Sequence, residues 1–219
     1  MYKLVSYKII FLFDRKNIWI KKFIKPKNFR LNKKFKVKIT TKLKDLKNFD
    51  VVIILGYTRI INPNLLSTNN LNIVIHPSKL PLDKGFAPIA YQVLKNKKNF
   101  YISIIRLEKK VDSGDIILQK KIKLNGSELS NELREMQALE TINILKKFLK
   151  NYPLIKFKKQ IGKSNFNKRR TKKDSEININ KSIKSQFNLL RVCDNEKYPA
   201  FFKYRKNKYL IKIYKEPKT

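Results

Sequence analysis

Cysteine and histidine are nearly absent from this sequence. Cys193 is its single cysteine and His76 its single histidine among 219 residues. One cysteine excludes a disulfide bond within the chain and a cysteine-ligated metal cluster. This cysteine usage fits a reducing compartment, so we expect a cytoplasmic protein.

Acidic residues are also scarce. Asp and Glu number 16 against 52 Lys and Arg, so the formal net charge is +36 at pH 7. Such a balance favours an anionic partner, namely nucleic acid, a nucleotide or an anionic membrane surface. The cations are nevertheless spread along the whole chain, and the accompanying wealth of Asn and Ile is typical of A/T-rich codon usage. A basic nucleic-acid-binding protein therefore remains an alternative function.

Long hydrophobic runs are missing. The amino-terminal segment MYKLVSYKIIFLFDRK has an apolar stretch of only a few residues and no small-residue cleavage site, so we expect neither a membrane span nor a secretion signal. Hydrophobic residues still make up 42% of the chain, which is enough for a substantial core. We expect a globular protein without a membrane partner.

Strand-like and helix-like segments alternate along the first third of the chain. The run VVIIL is typical of a strand buried on both faces of a parallel sheet. A short helical stretch is expected at 60–66. The alternation predicts an α/β protein with an open, mostly parallel, Rossmann-like sheet, which binds ligands outside the carboxyl ends of its strands. The strands predicted here are 9–13, 35–41, 51–55 and 71–75.

The second third of the chain continues with two strands and one long helix. The strands are predicted at 99–108 and 115–124, on either side of the loop KKVDSG. Ser127 is the predicted N-cap of an amphipathic helix that ends at Tyr152 and Pro153.

Composition divides the chain into three parts. Residues 1–150 form the main domain. Residues 151–180 are polar, basic and weakly periodic, which predicts a linker or a loosely packed extension. Residues 181–219 have one helical segment and two strand-like segments, which predict a small C-terminal module.

His76 and Asp112 are the residues that suit catalysis. His76 ends a predicted strand, Asp112 lies in the loop VDSGD, and a Pro- and Gly-rich loop at 77–88 follows the histidine. An imidazole beside a carboxylate is a natural proton-handling pair, because the carboxylate orients the ring and favours its charged form. Spacing alone also allows an ordinary strand-end histidine without a catalytic role.

The string IHPSKLP, the residues Gly85 and Pro88, and the later VDSGDII resemble the formyltransferases that use 10-formyltetrahydrofolate. This family includes methionyl-tRNA, glycinamide ribonucleotide and nucleotide-sugar N-formyltransferases. The resemblance covers roughly residues 50–120, and the tail containing RRTKKDSEI is similar to the C-terminal extension of such enzymes. It implies a Rossmann-like formyltransferase domain at 1–150.

The resemblance implies a mechanism without a covalent enzyme intermediate or a metal. A primary amine attacks the formyl carbon of the folate donor, and a tetrahedral oxyanion develops. His76 would donate to the oxyanion and assist proton transfer, while Asp112 would orient His76 and a water molecule. Backbone around the folate is implied at Leu55, Gly56, Tyr57, Lys109, Lys110 and Val111, and the acceptor would meet Ser78, Lys84 and Gly85.

The sequence departs from the family pattern at one catalytic position. The family asparagine stands two residues before the histidine, where this chain has Val74. Asn72 points to the same side of an extended strand but starts about 13 Å from His76, so its participation as a catalytic residue would need a bulge. Three alternatives follow: a site that uses Asn72, a site that relies on His76 and Asp112 alone, or an inactive homologue.

The acceptor that we expect is a primary amine on a nucleotide-linked amino sugar, whose diphosphate would meet the basic surface. Methionyl-tRNA is the alternative acceptor, since tRNA would also use the positive charge. Arg169, Arg170 and Arg191 are candidates for phosphate contacts, although basic linker residues are usually only solvated. Aromatic and aliphatic residues of the tail either pack on the main domain or form a homodimer interface.

Overall fold

Ten strands and four α-helices lie in the part of the chain that the computed structural model describes, residues 6–29 and 34–216. The helices are α1 (Ile18–Phe23), α2 (Pro88–Leu94), α3 (Ser130–Asn151) and α4 (Ile183–Val192). The strands are β1 (Tyr7–Phe13), β2 (Phe35–Thr40), β3 (Val51–Leu55), β4 (Leu71–His76), β5 (Lys84–Gly85), β6 (Asn99–Arg106), β7 (Ile116–Lys123), β8 (Phe166–Asn167), β9 (Ala200–Tyr204) and β10 (Asn207–Ile211).

Six of these strands form one sheet in the order β2-β1-β3-β4-β6-β7. The first four in this order are parallel, whereas β6 is antiparallel to both β4 and β7. The predicted α/β class with a mostly parallel sheet is thereby confirmed. The chain passes from β1 to β2 on one side and then to β3 on the other. The carboxyl ends of β1 and β3 therefore form the crevice in which sheets of this kind bind ligands.

Apolar side chains cover both faces of the central strands. Every residue of β3 is buried, as its continuous apolar run predicted. One face packs against α1, α2 and α3, whose apolar residues join the larger core cluster. The other face packs against 3-10 turns and loops around Leu46 and Leu66. Among the described residues, no helix has the length and apolar composition needed to cross a membrane.

The strand boundaries of the six-stranded sheet agree with the prediction to within two residues, whereas two helical segments begin later than predicted. Only Pro63–Leu66 within 60–66 is helical, as a 3-10 turn, and the Asn62 side chain accepts a hydrogen bond of 3.0 Å from the Asn64 backbone. Helix α3 begins at Ser130, because the Ser127 hydroxyl donates to the Asn125 side chain instead of capping the helix. A cap of this kind is decided by which partner is nearest, and a spacing pattern does not contain that information.

The segment predicted as a loose linker makes defined contacts with the rest of the protein. Lys158 exchanges two backbone hydrogen bonds with Ile116, of 2.7 and 2.8 Å. Strand β8 pairs in parallel with β5, which belongs to the loop 77–88 after His76, here called the histidine loop. The pairing depends on backbone and amide hydrogen bonds, which leave no hydrophobic periodicity in the sequence. Beyond it, α4 and the β9–β10 hairpin form the small C-terminal part.

Candidate active site

His76 is the last residue of β4, and only 5% of its surface is exposed. Its Nε2 atom lies 2.9 Å from the carbonyl oxygen of Asp83 in the following loop. Because a carbonyl oxygen only accepts hydrogen bonds, Nε2 carries a proton and donates it to this contact. The ring is thereby fixed with Nδ1 on the side of Asp112.

Asp112 lies in the loop between β6 and β7, with a backbone φ of +51°. Its Oδ2 accepts a hydrogen bond of 2.8 Å from the Gly85 backbone N–H, and its Oδ1 lies 3.4 Å from Nδ1 of His76. The structure therefore brings His76 and Asp112 together. Their separation exceeds the usual N–H···O distance of about 2.9 Å. Such contacts often tighten only when substrate is bound.

Gly85 is a position where only glycine fits. Its φ is +87°, and a Cβ atom there would lie 2.6 Å from both the Asn167 carbonyl oxygen and the Phe166 ring. The close approach of β8 and the N–H bond to Asp112 both depend on this bare backbone. Gly85 thus supports the position of the carboxylate, and it also lines the pocket described below.

Asp83 anchors the loop that touches the histidine ring. It is 7% exposed, and its Oδ1 accepts hydrogen bonds from Lys95 at 2.5 Å, from Asn165 at 3.2 Å and from Asn167 at 3.3 Å. Burial by itself would raise the pKa of this carboxyl. The three hydrogen bonds and the charge of Lys95 outweigh burial, so the pKa of Asp83 is lowered from its usual value.

This lowered pKa predicts a pH-dependent contribution to stability. The charged carboxylate of Asp83 stabilises the fold at pH values above about 3.9, the pKa of an unfolded-state aspartate, and that contribution is lost as pH falls through the lower folded-state pKa. Asp83→Asn should therefore lower the free energy of unfolding by about 1–3 kcal/mol at pH 7. Urea unfolding measured from pH 7 to pH 3 should show the difference shrinking toward the acid end. A difference that is constant with pH would contradict the assignment.

A pocket of about 720 Å³ opens beside the His76–Asp112 pair. It lies at the carboxyl ends of β1, β3 and β4, in the crevice expected for a sheet of this topology. Its lining includes apolar residues of the sheet, helix α2 and the loop after β3. Residues of α3 and of the C-terminal third of the chain also line it.

Five of the six residues predicted to bind a folate line this pocket: Leu55, Gly56, Tyr57, Lys109 and Val111. Lys110 is not among the lining residues. The Asn17 side chain, at the start of α1, donates a hydrogen bond to the Gly56 carbonyl and keeps the loop after β3 in place. Burial raises the pKa of the Tyr57 hydroxyl, which therefore stays protonated at neutral pH.

Two of the three residues predicted to meet the acceptor are not part of the pocket wall. Ser78 is completely buried, and its hydroxyl donates a hydrogen bond of 2.7 Å to the Leu82 carbonyl within the histidine loop. Lys84 lies in β5, and burial followed by the charge of nearby Lys110 lowers the pKa of its ammonium group. Of the three residues, only Gly85 lines the pocket.

The structure does not bring Asn72 to the site. Its amide nitrogen donates to the Leu66 carbonyl at 3.0 Å, and its oxygen accepts a 3.3 Å hydrogen bond from Asn69. β4 pairs without a bulge through these residues. Val74 occupies the pocket wall instead and contributes no hydrogen-bond donor there. Asn72 is therefore not part of the site around His76 and Asp112.

Two of the three arginines named as phosphate candidates line the pocket, Arg169 and Arg170. The Arg169 guanidinium lies 4.5 Å from the centre of the Phe86 ring, and the Arg170 guanidinium donates a 2.7 Å hydrogen bond to the Asp174 carbonyl. Arg191 does not serve a ligand, because it is 3% exposed and paired with Glu128 at 3.3 Å.

Sequence patterns missed several residues that shape the site. Asp83 lies in the histidine loop, where Asn165 and Asn167 bind its carboxylate. Gln160 contacts the loop that carries Asp112, here called the aspartate loop. Arg134 lines the pocket and forms an ion pair of 2.5 Å with Asp194. The signal available was the concentration of amide side chains at 160–167, inside a segment that otherwise suggests a linker. In the described part of the chain, no three His, Cys, Asp or Glu residues are grouped so that they could hold a metal ion.

Known proteins match this chain in sequence and in fold. A family model described as formyl transferase matches residues 13–147. A methionyl-tRNA formyltransferase from Thermosipho melanesiensis is 32% identical over 154 residues, which are 69% of this chain and 50% of that protein. The chain thus spans half the length of this curated relative.

Two solved structures share the fold. Methionyl-tRNA formyltransferase from Clostridium thermocellum superposes with a TM-score of 0.79 at 20% identity, covering 96% of this chain and 94% of that one. The formyltransferase PseJ from Anoxybacillus kamchatkensis, in complex with UDP-4,6-dideoxy-4-formamido-L-AltNAc and tetrahydrofolate, superposes with a TM-score of 0.52 at 22% identity, covering 74% and 85%.

Proposed function

Because this chain belongs to the formyl transferase family, we propose that it transfers a formyl group from 10-formyltetrahydrofolate to a primary amine on a nucleotide-linked amino sugar. The observation that carries the proposal is the buried His76–Asp112 pair beside a pocket of about 720 Å³. The group transferred and the roles of the two residues are those that the family resemblance implies, and the positions of the two side chains support them.

In the proposed reaction the amine nitrogen attacks the formyl carbon, and the carbonyl oxygen becomes an oxyanion. His76 donates a hydrogen bond to this oxygen from Nδ1, since Nε2 is already bound to the Asp83 carbonyl. Asp112 orients the imidazole so that a protonated Nδ1 faces the reacting carbon, and it accepts a proton from the attacking amine, directly or through water. The oxyanion then re-forms the carbonyl as the carbon–nitrogen bond to the folate breaks, and the proton that Asp112 took from the amine passes to N10.

The apolar Val74 leaves this site with fewer donors than the family pattern has. His76 is therefore the donor on which stabilisation of the oxyanion depends in our proposal. A hydrogen-bond donor aimed at a developing oxyanion accounts for about 10²–10³ in rate. With no asparagine amide next to it, loss of the imidazole should be felt in full.

The donor side of the pocket is proposed to be the wall formed by the loop after β3 and the end of β6. Leu55, Gly56 and Tyr57 offer backbone groups there, beside apolar residues such as Val74 and Ile105. Flat aromatic ligands bind to such mostly apolar walls with a few fixed backbone partners. The PseJ structure, with tetrahydrofolate bound, has this fold, which supports a folate as donor.

The acceptor side is proposed to be the basic wall that residues 169–171 contribute. Arg169 and Arg170 both line the pocket and belong to the C-terminal third of the chain. Guanidinium groups suit phosphate oxygens because their donors are arranged as a planar fork. A nucleotide diphosphate on this wall would direct its amino sugar toward His76.

Neutralising both arginines should weaken acceptor binding specifically. Arg169→Gln with Arg170→Gln should raise KM for the acceptor about tenfold or more, because charge-assisted hydrogen bonds to phosphate are lost, and kcat should change little. Steady-state kinetics with the acceptor varied would measure this. Lys172→Gln with Lys173→Gln is the matched control, since it removes the same charge from the same segment at residues that do not line the pocket. Equal effects of the two pairs would refute a specific phosphate contact.

Methionyl-tRNA is the second candidate acceptor. The relative from Thermosipho melanesiensis is named a methionyl-tRNA formyltransferase, and the net charge of +36 suits a polyanion. A tRNA acceptor would make KM rise steeply with salt, because each phosphate contact releases counterions. A small diphosphate would give a much weaker salt dependence, so the salt slope separates the two acceptors.

The function is tested by supplying the purified protein with 10-formyltetrahydrofolate and either nucleotide-linked amino sugars or methionyl-tRNA. Amine-dependent release of tetrahydrofolate together with a formamide product is the expected result, with sugars preferred. Folate binding without turnover on any acceptor would indicate an inactive homologue. Salt-dependent RNA binding without folate binding would indicate a nucleic-acid-binding protein.

A further inference from the structure

Residues 158–167, here called the strap, connect the two loops that hold the active-site pair. The strap is joined to the edge of the sheet at one end by the Lys158–Ile116 backbone pair. At its other end, β8 pairs with β5 in the histidine loop. Between these ends it contacts both residues 112–114 of the aspartate loop and residues 83–86 of the histidine loop.

Gln160 forms the contact with the aspartate loop. Its side-chain Nε2 donates two hydrogen bonds, of 2.9 Å to the Asp112 carbonyl and 2.8 Å to the Gly114 carbonyl. Its Oε1 is buried and accepts no hydrogen bond from any described residue. The amide group therefore acts only as a hydrogen-bond donor, and both acceptors belong to the turn that carries the Asp112 carboxylate.

Asn165 and Asn167 form the contact with the histidine loop. Asn165 binds Asp83 twice, accepting from its backbone N–H at 3.0 Å and donating to its carboxylate at 3.2 Å. Asn167 donates to the same carboxylate at 3.3 Å. Asp83 is the residue whose carbonyl oxygen accepts the hydrogen bond from Nε2 of His76.

We propose that the strap, through Gln160, is a positioning device that sets the distance between Asp112 and His76. His76 has one ring nitrogen on the Asp83 carbonyl and the other 3.4 Å from Asp112, so a shift of either loop changes that second distance directly. Asp112 has a positive φ, a backbone conformation that is uncommon for residues other than glycine, and two carbonyl groups of this turn accept hydrogen bonds from Gln160. Gln160 thereby supports the turn, and in this proposal it acts on the reaction only through Asp112.

The catalytic part of this inference rests on the proposed function, whereas the positional part does not. Catalytic groups require placement within about 0.5 Å of the productive geometry, and residues outside the first contact layer provide it. A misplacement of about 1 Å in a catalytic group lowers the rate by up to about 100-fold. A substitution of Gln160 should therefore act on turnover while leaving the fold and both binding sites in place.

Gln160→Met tests the proposal, because methionine keeps the length of the side chain and removes both donors. The unpartnered Oε1 is removed as well, which limits the loss of stability. The expected result is a kcat about 10- to 100-fold lower with unchanged KM for donor and acceptor. Gln186→Met is the matched control: Gln186 is also half-buried, and its Nε2 donates to the Asn178 and Lys181 carbonyls away from the site.

A double-substitution cycle separates positioning from general destabilisation. If Gln160 acts through Asp112, then Gln160→Met should cause little further loss in protein that already carries Asp112→Asn. Losses that multiply in the double variant would overturn the proposal. Wild-type kcat in Gln160→Met alone would overturn it too.

The single histidine of the chain provides a readout that does not require activity. The imidazole C–H resonances in an NMR spectrum report His76 alone. At fixed pH they should shift in Gln160→Met in the same direction as in Asp112→Asn, and they should stay unchanged in Gln186→Met. Shifted resonances in a protein that formylates no amine would support positioning while refuting the proposed function. Unshifted resonances in an active protein would refute positioning alone.

Discussion

Replacing His76 with alanine is expected to lower kcat about 10³-fold. The imidazole is proposed to supply both the donor for the oxyanion and a path for the proton, which together account for losses of this size in other enzymes. Val74 beside it offers no substitute donor. Single-turnover measurements with saturating 10-formyltetrahydrofolate and acceptor would measure the chemical step directly.

Asp112→Asn should lower kcat about 10²-fold or more, because an amide does not accept the amine proton and orients the imidazole less strongly than a carboxylate. Asp115→Asn is the matched control, since Asp115 lies in the same loop but does not line the pocket. Folate affinity should be close to wild type in all three variants, and each should remain folded at the assay temperature even where its melting temperature is lower. Near-normal turnover in His76→Ala or Asp112→Asn would refute the assignment of the site.

Glu128→Gln is expected to lower the free energy of unfolding by about 3–5 kcal/mol, because it leaves the Arg191 guanidinium buried without its counter-charge. Glu128 lies before α3 and Arg191 in α4; their side chains are 6% and 3% exposed and pair at 3.3 Å. The same carboxylate also accepts backbone hydrogen bonds from Asn125 and Gly126. Urea unfolding at neutral pH would measure the loss.

The exposed pair of Glu196 and Lys212 provides the control for this prediction. Its two nitrogen–oxygen distances are 3.0 and 3.2 Å, but the Glu196 side chain is 73% exposed, so Glu196→Gln should change the free energy of unfolding far less than Glu128→Gln does. Replacing both members of the buried pair, as Glu128→Leu with Arg191→Met, should recover much of the lost stability because no charge is then buried alone. A double variant as unstable as Glu128→Gln would contradict this account.

The Glu128–Arg191 pair joins the C-terminal third of the chain to the rest of the protein. Arg191 docks α4 against the start of α3, and the residues between α3 and α4 supply Arg169 and Arg170 to the pocket. Loss of docking should therefore weaken acceptor binding before it affects the His76–Asp112 geometry. Kinetic measurements at urea concentrations below the unfolding midpoint should then show KM for the acceptor rising before kcat falls.

Local sequence was sufficient for the sheet and for the histidine. Runs of β-branched residues such as VVIIL are compatible with few structures other than a buried strand, so β1, β3 and β4 were predictable to within two residues. Parallel strands ending at one edge also made the end of β4 a natural place for a ligand-binding residue. The resemblance to formyltransferases implied that His76 and Asp112 act together, whereas their spacing alone also allowed a histidine without a catalytic role.

The strap, the basic pocket wall and the isolation of Asn72 depended on tertiary structure. Gln160 reaches Asp112 across 48 residues and Asn165 reaches Asp83 across 82, and hydrogen bonds over such separations leave no period in a sequence. Amide side chains also satisfy themselves equally well in solvent, so their composition alone indicated a linker. The hydrophobic pattern therefore determined which segments form the sheet, because hydrophobicity is a property of each residue and its period is visible in the sequence. Where the polar segments dock depends on geometry between distant residues, and only the folded chain contains it.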